Sequence, residues 1–225
     1  RQDWDSENLL KLARSLQPGI IVDDRLDLKD VEGGWDFTTP EQYKVTKWPE
    51  VNGKRVPWET CQTFSGSWGY YRDETTWKSP AQLIELLTES VSKGGNLLLN
   101  VGPTARGTFD YRAKERLEAM GEWMKYNNRS VYKCTEAPSD IVAPPNTLLT
   151  YNPETKRLYV HLLSYPMGSL RMGNMADKIK YAQFLHDASE IRYSTGSGDD
   201  SNTINMQLPV LKPPVEIPVL EIYLK

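Results

Sequence analysis

The chain has 225 residues, a formal net charge of -3 and a pI near 5.6, with 39% hydrophobic and 25% charged residues. That length fits one large or two small domains, and that balance supports a packed core rather than a disordered chain. The charge offers no basic field for a phosphate backbone, and no apolar run reaches the length of a membrane span, so nucleic-acid and membrane partners are disfavoured.

Helix and strand signals alternate along the first two-thirds. Asp5 or Ser6 can cap a helix running to Leu16, with Leu9, Leu10, Ala13 and Leu16 on one face and Pro18-Gly19 as its stop. Ile20-Ile21-Val22 reads as a short strand buried on both faces, ending in Asp23-Asp24-Arg25. A polar stretch rich in Gly, Pro, Thr and Trp follows from Leu26 to Pro57, long enough to suggest a functional loop. Trp58 to Thr63 is a second strand, and Ser65-Gly66-Ser67-Trp68-Gly69-Tyr70 a loop. Ser79, Pro80 and Gln82 form a capping box with proline at the first helical position. The helix they open carries Leu83, Leu86, Leu87, Ser90 and Val91 as its buried stripe and ends at Gly94-Gly95. Asn96 to Val101 is a further buried strand, Gly102-Pro103 a turn, and Tyr111 to Tyr126 a third helix, with Leu117, Met120, Trp123 and Met124 inward.

This order predicts a parallel sheet with crossover helices, with too few strands to close an eight-stranded barrel. It reads as the second half of a TIM-like (β/α) barrel over residues 1–136. From Ala137 helical periodicity disappears. Short β-like runs at Leu148–Tyr151, Arg157–Leu163, Ile191–Tyr193, Thr203–Met206 and Val219–Leu224 predict a small antiparallel β-sandwich over residues 137–225. The fold class is therefore α/β followed by β-sandwich. The polar opening, Arg1 to Ser6, is no signal peptide, which leaves secretion undecided.

The chemistry is narrowed by what is scarce. There are two cysteines, Cys61 and Cys134, and two histidines, His161 and His186, without metal-ligand spacing, so neither a metal nor a cofactor is expected. A disulfide between the two cysteines stays open. Ser–His–Asp and Cys–His systems have little material, which leaves carboxylates. In a parallel barrel the loops leaving the strand C-termini form the active face: here those after Val22, Thr63 and Val101. They and the segments beside them carry Asp23, Asp24, Glu32, Asp36, Glu41 and Glu59. Among thirty acidic residues these are no signal by themselves, and each reads first as a solvated loop charge. Arg25 can orient a carboxylate or bond a sugar hydroxyl, or form an ordinary ion pair with Asp23, Asp24 or Asp27. Trp68 can wall a pocket or anchor its loop. The seven Trp and twelve Tyr suit stacking on sugars but also suit a core.

Several motifs occur in order: Val22-Asp23-Asp24-Arg25, Thr39-Pro40-Glu41-Gln42, Trp58-Glu59-Thr60-Cys61, Ser67-Trp68-Gly69-Tyr70, and Lys93 to Pro103 with Gly95-Asn96-Leu97-Leu98-Leu99-Asn100-Val101-Gly102-Pro103. The helix Lys114 to Trp123 fits with them. Together they resemble glycoside hydrolase family 29, the retaining α-L-fucosidases, strongly to about Tyr132 and loosely beyond. The resemblance implies a catalytic barrel with a C-terminal sandwich, a fucosylated glycan as substrate, and release of terminal α-L-fucose through a covalent glycosyl–enzyme intermediate. It points to Glu41 as general acid/base, with Glu59 as second choice, to Arg25 as a contact to nucleophile and sugar, and to Trp68 as a wall for the fucose methyl. The family's nucleophilic Asp would fall before Arg1, so the missing barrel half, or another chain supplying it, is an expected partner. The alternative is a carbohydrate-binding or scaffold protein without turnover. Family habit implies a secreted or periplasmic location.

Overall fold

The computed structural model describes residues 3–225; Arg1 and Gln2, part of the polar opening and of the first expected domain, lie outside them. Helix α1 spans Ser6–Leu16 and buries Leu10, but Leu9 and Leu16 of the expected inner face stand 48% and 78% exposed. Asp5 precedes α1 in a left-handed conformation and makes no side-chain cap, binding Asn8 Nδ2 instead. The expected strand Ile20-Ile21-Val22 does not form a ladder. Ile21 is 70% exposed, and the segment is tied down at its ends, first by Ile20 N donating to the Gln17 carbonyl. Val22 exchanges hydrogen bonds with Asp36, and Asp23 forms one parallel bridge to Phe37. Backbone groups form a ladder only when a neighbouring strand runs alongside.

The polar stretch hides a hairpin of β1 (Glu50–Val51) and β2 (Lys54–Arg55). Its turn is Asn52-Gly53, both with positive φ, the type I′ geometry that this dipeptide favours. Strand β3 (Glu59–Thr63) then pairs in parallel with β4 (Asn96–Asn100), from Glu59↔Asn96 to Thr63↔Asn100. Parallel bridges Thr38↔Trp58 and Glu41↔Cys61 lay residues 38–41 along the other side of β3.

The crossover between β3 and β4 is α2 (Pro80–Ser92). Its capping box is complete: Ser79 Oγ accepts from Gln82 N, and Gln82 Oε1 accepts from Ser79 N. The expected stripe is buried at Leu83, Leu86, Ser90 and Val91, and Ile84 joins it. Leu83 and Leu86 pack with Phe64 and with Leu97 and Leu99 of β4. The helix ends at Gly94, whose φ of 73° places it against the Trp48 ring, where a Cβ would lie 2.0 Å from ring carbon. Helix α3 (Tyr111–Asn127) starts at Asp110, whose side chain accepts from Arg112 N. It buries Trp123, with Met120 and Met124 partly buried, while Leu117, expected inside, is 37% exposed.

The remaining strands are β5 (Thr147–Asn152), β6 (Arg157–Leu162), β7 (Ser169–Met172), β8 (Ile179–Phe184), β9 (Tyr193–Thr195), β10 (Ile204–Gln207) and β11 (Val219–Leu224). They form two antiparallel sheets, ordered β5-β6-β11-β8 and β7-β10-β9. Strands β7 and β8 were not anticipated, and β9 starts two residues later than the expected run at Ile191. The core between the sheets includes Leu158, Val160, Met172, Phe184, Ile204, Met206, Leu220 and Ile222. Alternate residues of β6 and β11, Tyr159, His161, Val219 and Glu221, are buried on the opposite face. There Tyr159 and Val219 pack with Ile84, Val91 and Trp123 from α2 and α3, so the four-stranded sheet is covered on both sides. Cys61 and Cys134 are free thiols, which closes the disulfide question. Among the described residues no helix is long and apolar enough to cross a membrane, and no cluster of three or more His, Cys, Asp or Glu is placed to hold a metal ion.

Candidate active site

A cavity of about 450 Å³ opens where the parallel segments end, lined by Asp23, Arg25, Thr39, Glu41, Glu59, Cys61, Trp68, Leu98 and Asn100. The alternation of β3 and β4 explains much of this lining. Glu59 and Cys61 are two residues apart and share a face, and Leu98 and Asn100, paired with Cys61 and Thr63, extend that face on β4. Asp23 and Arg25 leave the extended segment after Val22, and Thr39 and Glu41 come from the chain laid beside β3.

Arg25 organises one wall. Its Nη1 donates to Glu41 Oε2 at 2.9 Å, its Nε to Thr39 Oγ1 at 2.7 Å, and its Nη2 to the Thr39 carbonyl at 2.6 Å. Its backbone N–H donates to Asp23 Oδ1 at 3.1 Å. The guanidinium therefore pairs with Glu41, sixteen residues downstream, while Asp23 receives its backbone N–H and Asp24 is bound by Lys29, Thr38 and Thr39.

Trp68 forms the opposite, apolar side with Leu98; both are partly open to solvent, at 40% and 54%. Asn100 Nδ2 donates to the Trp68 carbonyl at 2.6 Å. Gly102 lies directly on the backbone of Gly69 and Tyr70, where a Cβ would meet carbon and nitrogen at 2.4 Å. Behind the loop, the buried Glu74 carboxylate accepts from Ser67 Oγ at 2.6 Å and from Thr76 N and Oγ1 at 2.7 Å. These bonds, that from Ser67 first, pull Glu74 down to about 2.

Glu59 behaves differently. Burial, and after it the charge of Asp23, raise its proton affinity above that of an ordinary glutamate. The cavity thus brings together a carboxylate pinned by an arginine, a carboxyl inclined to hold its proton, and an apolar wall. Proton transfer to and from a bound polyhydroxylated ring needs such groups.

Arg25, Glu41, Glu59 and Trp68 were singled out from the sequence, and all four line this cavity. Of the other acidic candidates, Asp23 joins them and Asp24 is buried behind the wall. Asp36 pairs with Arg14 at 3.1 Å, and Glu32 is exposed elsewhere. Sequence reasoning passed over Thr39, Cys61, Leu98 and Asn100, although each sits inside a quoted motif and the two-residue period of β3 and β4 places the last three.

A family model described as Alpha-L-fucosidase matches residues 1–129, more than half of the chain. The plasma alpha-L-fucosidase of Homo sapiens is 30% identical over 234 residues, covering 99% of this chain and 46% of that protein. Alpha-L-fucosidase isoenzyme 1 from Paenibacillus thiaminolyticus superposes with a TM-score of 0.89 at 30% identity, over 100% of this chain and 55% of its own. The Thermotoga maritima alpha-fucosidase, solved with a mechanism based inhibitor, superposes with a TM-score of 0.77 at 25% identity, over 97% of this chain and 49% of its own. The chain spans about half the length of the curated relatives it matches, corresponding to their C-terminal part. With these motifs, this fold and this cavity, the chain belongs to the α-L-fucosidase family.

Proposed function

We propose that this chain carries the acid/base half of an exo-acting retaining α-L-fucosidase. In this reading residues 1–136 complete a (β/α) barrel with residues from upstream in the full-length protein, and residues 137–225 form the sandwich that buttresses it. The observation that carries the reading is the joint lining of one cavity by the Arg25–Glu41 pair, Glu59, Trp68 and Leu98.

Fucose is a 6-deoxy sugar, so one edge of the ring is a methyl group that prefers an apolar wall to water; Trp68 and Leu98 supply that wall. Glu41 protonates the glycosidic oxygen as the aglycone departs and then deprotonates the water that releases fucose. Arg25 fixes Oε2 of Glu41 throughout. Glu59, retaining its proton more readily than a free carboxyl, donates a hydrogen bond to a sugar hydroxyl. The nucleophile is an aspartate from the upstream part of the barrel, placed about 5 Å from Glu41 as a retaining mechanism requires. The fucosylated glycan is the natural substrate, and export to a secreted or periplasmic location is part of the same proposal.

The test uses the full-length protein with an aryl α-L-fucoside, whose leaving group needs no proton, and with a fucosylated oligosaccharide, whose leaving group does. Glu41→Gln is expected to slow the oligosaccharide about a hundredfold or more and the release of aryl alcohol much less, with azide restoring turnover of the trapped intermediate. Glu59→Gln is expected to raise KM on both substrates without azide rescue. Azide rescue of Glu59→Gln with none for Glu41→Gln would transfer the acid/base role to Glu59. Fucose binding without turnover by the full-length wild-type protein would sink the enzymatic reading altogether.

A further inference from the structure

Behind Arg25 lies a second carboxylate that does not reach the cavity. Asp24 is buried, with its side chain 6% exposed, and it is satisfied on every side. Thr38 Oγ1 donates to its Oδ2 at 2.7 Å, and Lys29 Nζ lies 2.9 Å from the same oxygen. Thr39 gives Oδ1 both its backbone N–H and its hydroxyl, each at 3.1 Å. Burial alone would raise the proton affinity of Asp24, but the bonds from Lys29, Thr38 and Thr39 outweigh it and hold the carboxyl down at about 2. It is an anion throughout the working pH range of any neutral enzyme.

A threonine hydroxyl has one proton and two lone pairs. Because the Asp24 carboxylate can only accept, the Thr39 hydroxyl must point its proton at Asp24, and its lone pairs are then free for a donor on the other side. That donor is Arg25 Nε, at 2.7 Å. With Nη2 on the Thr39 carbonyl, one edge of the planar guanidinium is held at two nitrogens by one residue, and the remaining Nη1 is directed to Glu41 Oε2. The order is Asp24, Thr39, Arg25, Glu41: an anion sets a hydroxyl, the hydroxyl sets a guanidinium, and the guanidinium sets the carboxyl that faces substrate.

We infer that Asp24 and the Thr39 hydroxyl are positioning residues for proton transfer, holding Glu41 in its working orientation through Arg25. The inference rests on the acid/base role of Glu41 proposed above, and it adds two residues that act on substrate only through others. Arg25 and Glu41 are each nearly half exposed, at 45% and 47% of their side chains. A surface ion pair of that exposure contributes little fixation of its own. The buried end of the chain of bonds supplies the rigidity that the exposed end lacks.

The experiment compares Thr39→Val, Thr39→Ser, Asp24→Asn and wild type in the full-length protein, on an aryl α-L-fucoside and on a fucosylated oligosaccharide, with Tm measured for each. Thr39→Val keeps the backbone carbonyl and the side-chain shape but removes the hydroxyl. It is expected to lower kcat/KM on the oligosaccharide about tenfold or more, since small misplacements of a reacting group are costly, while kcat/KM on the aryl fucoside, set by a glycosylation step that needs no proton, changes less than about threefold. Thr39→Ser is expected to restore the oligosaccharide rate, and Asp24→Asn to reproduce the Thr39→Val pattern more weakly, because an amide oxygen still accepts. Equal losses of kcat/KM on both substrates, unchanged kcat/KM on both, or failure of Thr39→Ser to restore the oligosaccharide value in protein with wild-type Tm would each overturn the inference. Failure of the underlying reading is distinguishable, because it shows as azide rescue of Glu59→Gln in place of Glu41→Gln, or as a wild type that turns over neither substrate.

Discussion

A tryptophan with 40% of its surface in contact with water gives up much of the burial that its ring area offers, unless a ligand completes its environment. Trp68 is held there by a hydrogen bond from Asn100 to its own carbonyl and by the close contact of Gly102 with the next peptide, so its exposure is imposed by the backbone. If its ring covers the fucose methyl, its removal should erase the advantage of a deoxy sugar over the same ring with a 6-hydroxyl. Burying one carbon is worth about 0.8 kcal/mol, or roughly a fourfold preference. Trp68→Ala is therefore expected to reduce the ratio of kcat/KM for aryl α-L-fucoside over aryl α-L-galactoside by about fourfold or more. An unchanged ratio would place the methyl elsewhere. Trp68, Arg25, Glu41 and Glu59 were legible in the sequence because each lies in a short ordered motif. Asp24 lies in the same motif as Arg25, but its work was not legible. The hydrogen bonds that give it a role come from Lys29, Thr38 and Thr39 across a loop whose path no periodicity describes.

The loop that presents Trp68 joins β3 to α2 and owes its shape to Glu74. The carboxylate gathers Ser67, Thr76 N–H and the Thr76 hydroxyl, and that hydroxyl in turn accepts from Gly66 N at 2.8 Å. Its folded-state pKa of about 2 lies below the ordinary 4.5, so the stabilisation is present above pH 4.5 and is lost as pH falls towards 2. Glu74→Gln replaces an acceptor with a donor facing other donors. It is expected to raise KM for fucosides on the order of tenfold through a misplaced Trp68, with kcat little changed, and to flatten the loss of Tm between pH 4.5 and 2. Equal KM for variant and wild type would show that the loop holds its shape without the carboxylate. Elements with a local chemical signature were readable here. The capping box of α2 forms as its residues specify. The Asn52-Gly53 hairpin carries an equally clear signal but lies inside a polar stretch whose composition reads as loop. Strand β8 was missed for a different reason. A register shift opposite Tyr223 and Leu224 leaves Ile179 and Ala182 both buried although three residues apart, so the two-residue period is broken. Strand β6 is buried on both faces and reads as an apolar run in which Tyr159 and His161 carry no visible direction.

At the scale of the whole molecule, the four-stranded sheet is the seam between the parallel segments and the sandwich, and polar groups are buried in it, Glu221 and His161 among them. Glu221, 2% exposed, accepts from Arg129 at 2.9 Å, Gln183 at 2.6 Å and Tyr159 at 3.3 Å, which joins the turn after α3 to β6, β8 and β11. His161 lies beside Trp123 with its Nε2 3.0 Å from Thr150 Oγ1. The Thr150 hydroxyl donates to the Ser130 carbonyl, so Nε2 carries the ring proton, and Nδ1 has no partner among the described residues. Full burial pushes His161 down to about 3. Above pH 6.5 both folded and unfolded forms are neutral; between 6.5 and about 3 only the unfolded chain takes up the proton, so stability falls with acidification by up to about 1.4 kcal/mol per pH unit. In the full-length protein, His161→Gln is expected to remove about 2 kcal/mol of the stability difference between pH 6.5 and pH 5, measured by urea unfolding at each pH. An undiminished difference would move that acid sensitivity to other groups.

The surface away from this seam gives a prediction for the 225 residues taken alone. Leu9, Leu12 and Leu16 project from one face of α1 at 48%, 55% and 78% exposure, and Ile21 and the cavity-lining Leu98 are more than half exposed. Among the described residues β4 pairs only with β3, so its other edge offers free donors and acceptors beside exposed leucine. Such surfaces are covered in stable monomers, whereas a contiguous apolar patch beside an open strand edge recruits another chain. The purified 225-residue chain is therefore expected to self-associate at micromolar concentration, seen by light scattering during size exclusion. Coexpression with the upstream segment that the proposed barrel requires is expected to yield a defined complex instead. A 225-residue monomer that unfolds in one cooperative step would show that the parallel segments are closed by the sandwich alone, and the proposal that they are one wall of a larger barrel would fall with it.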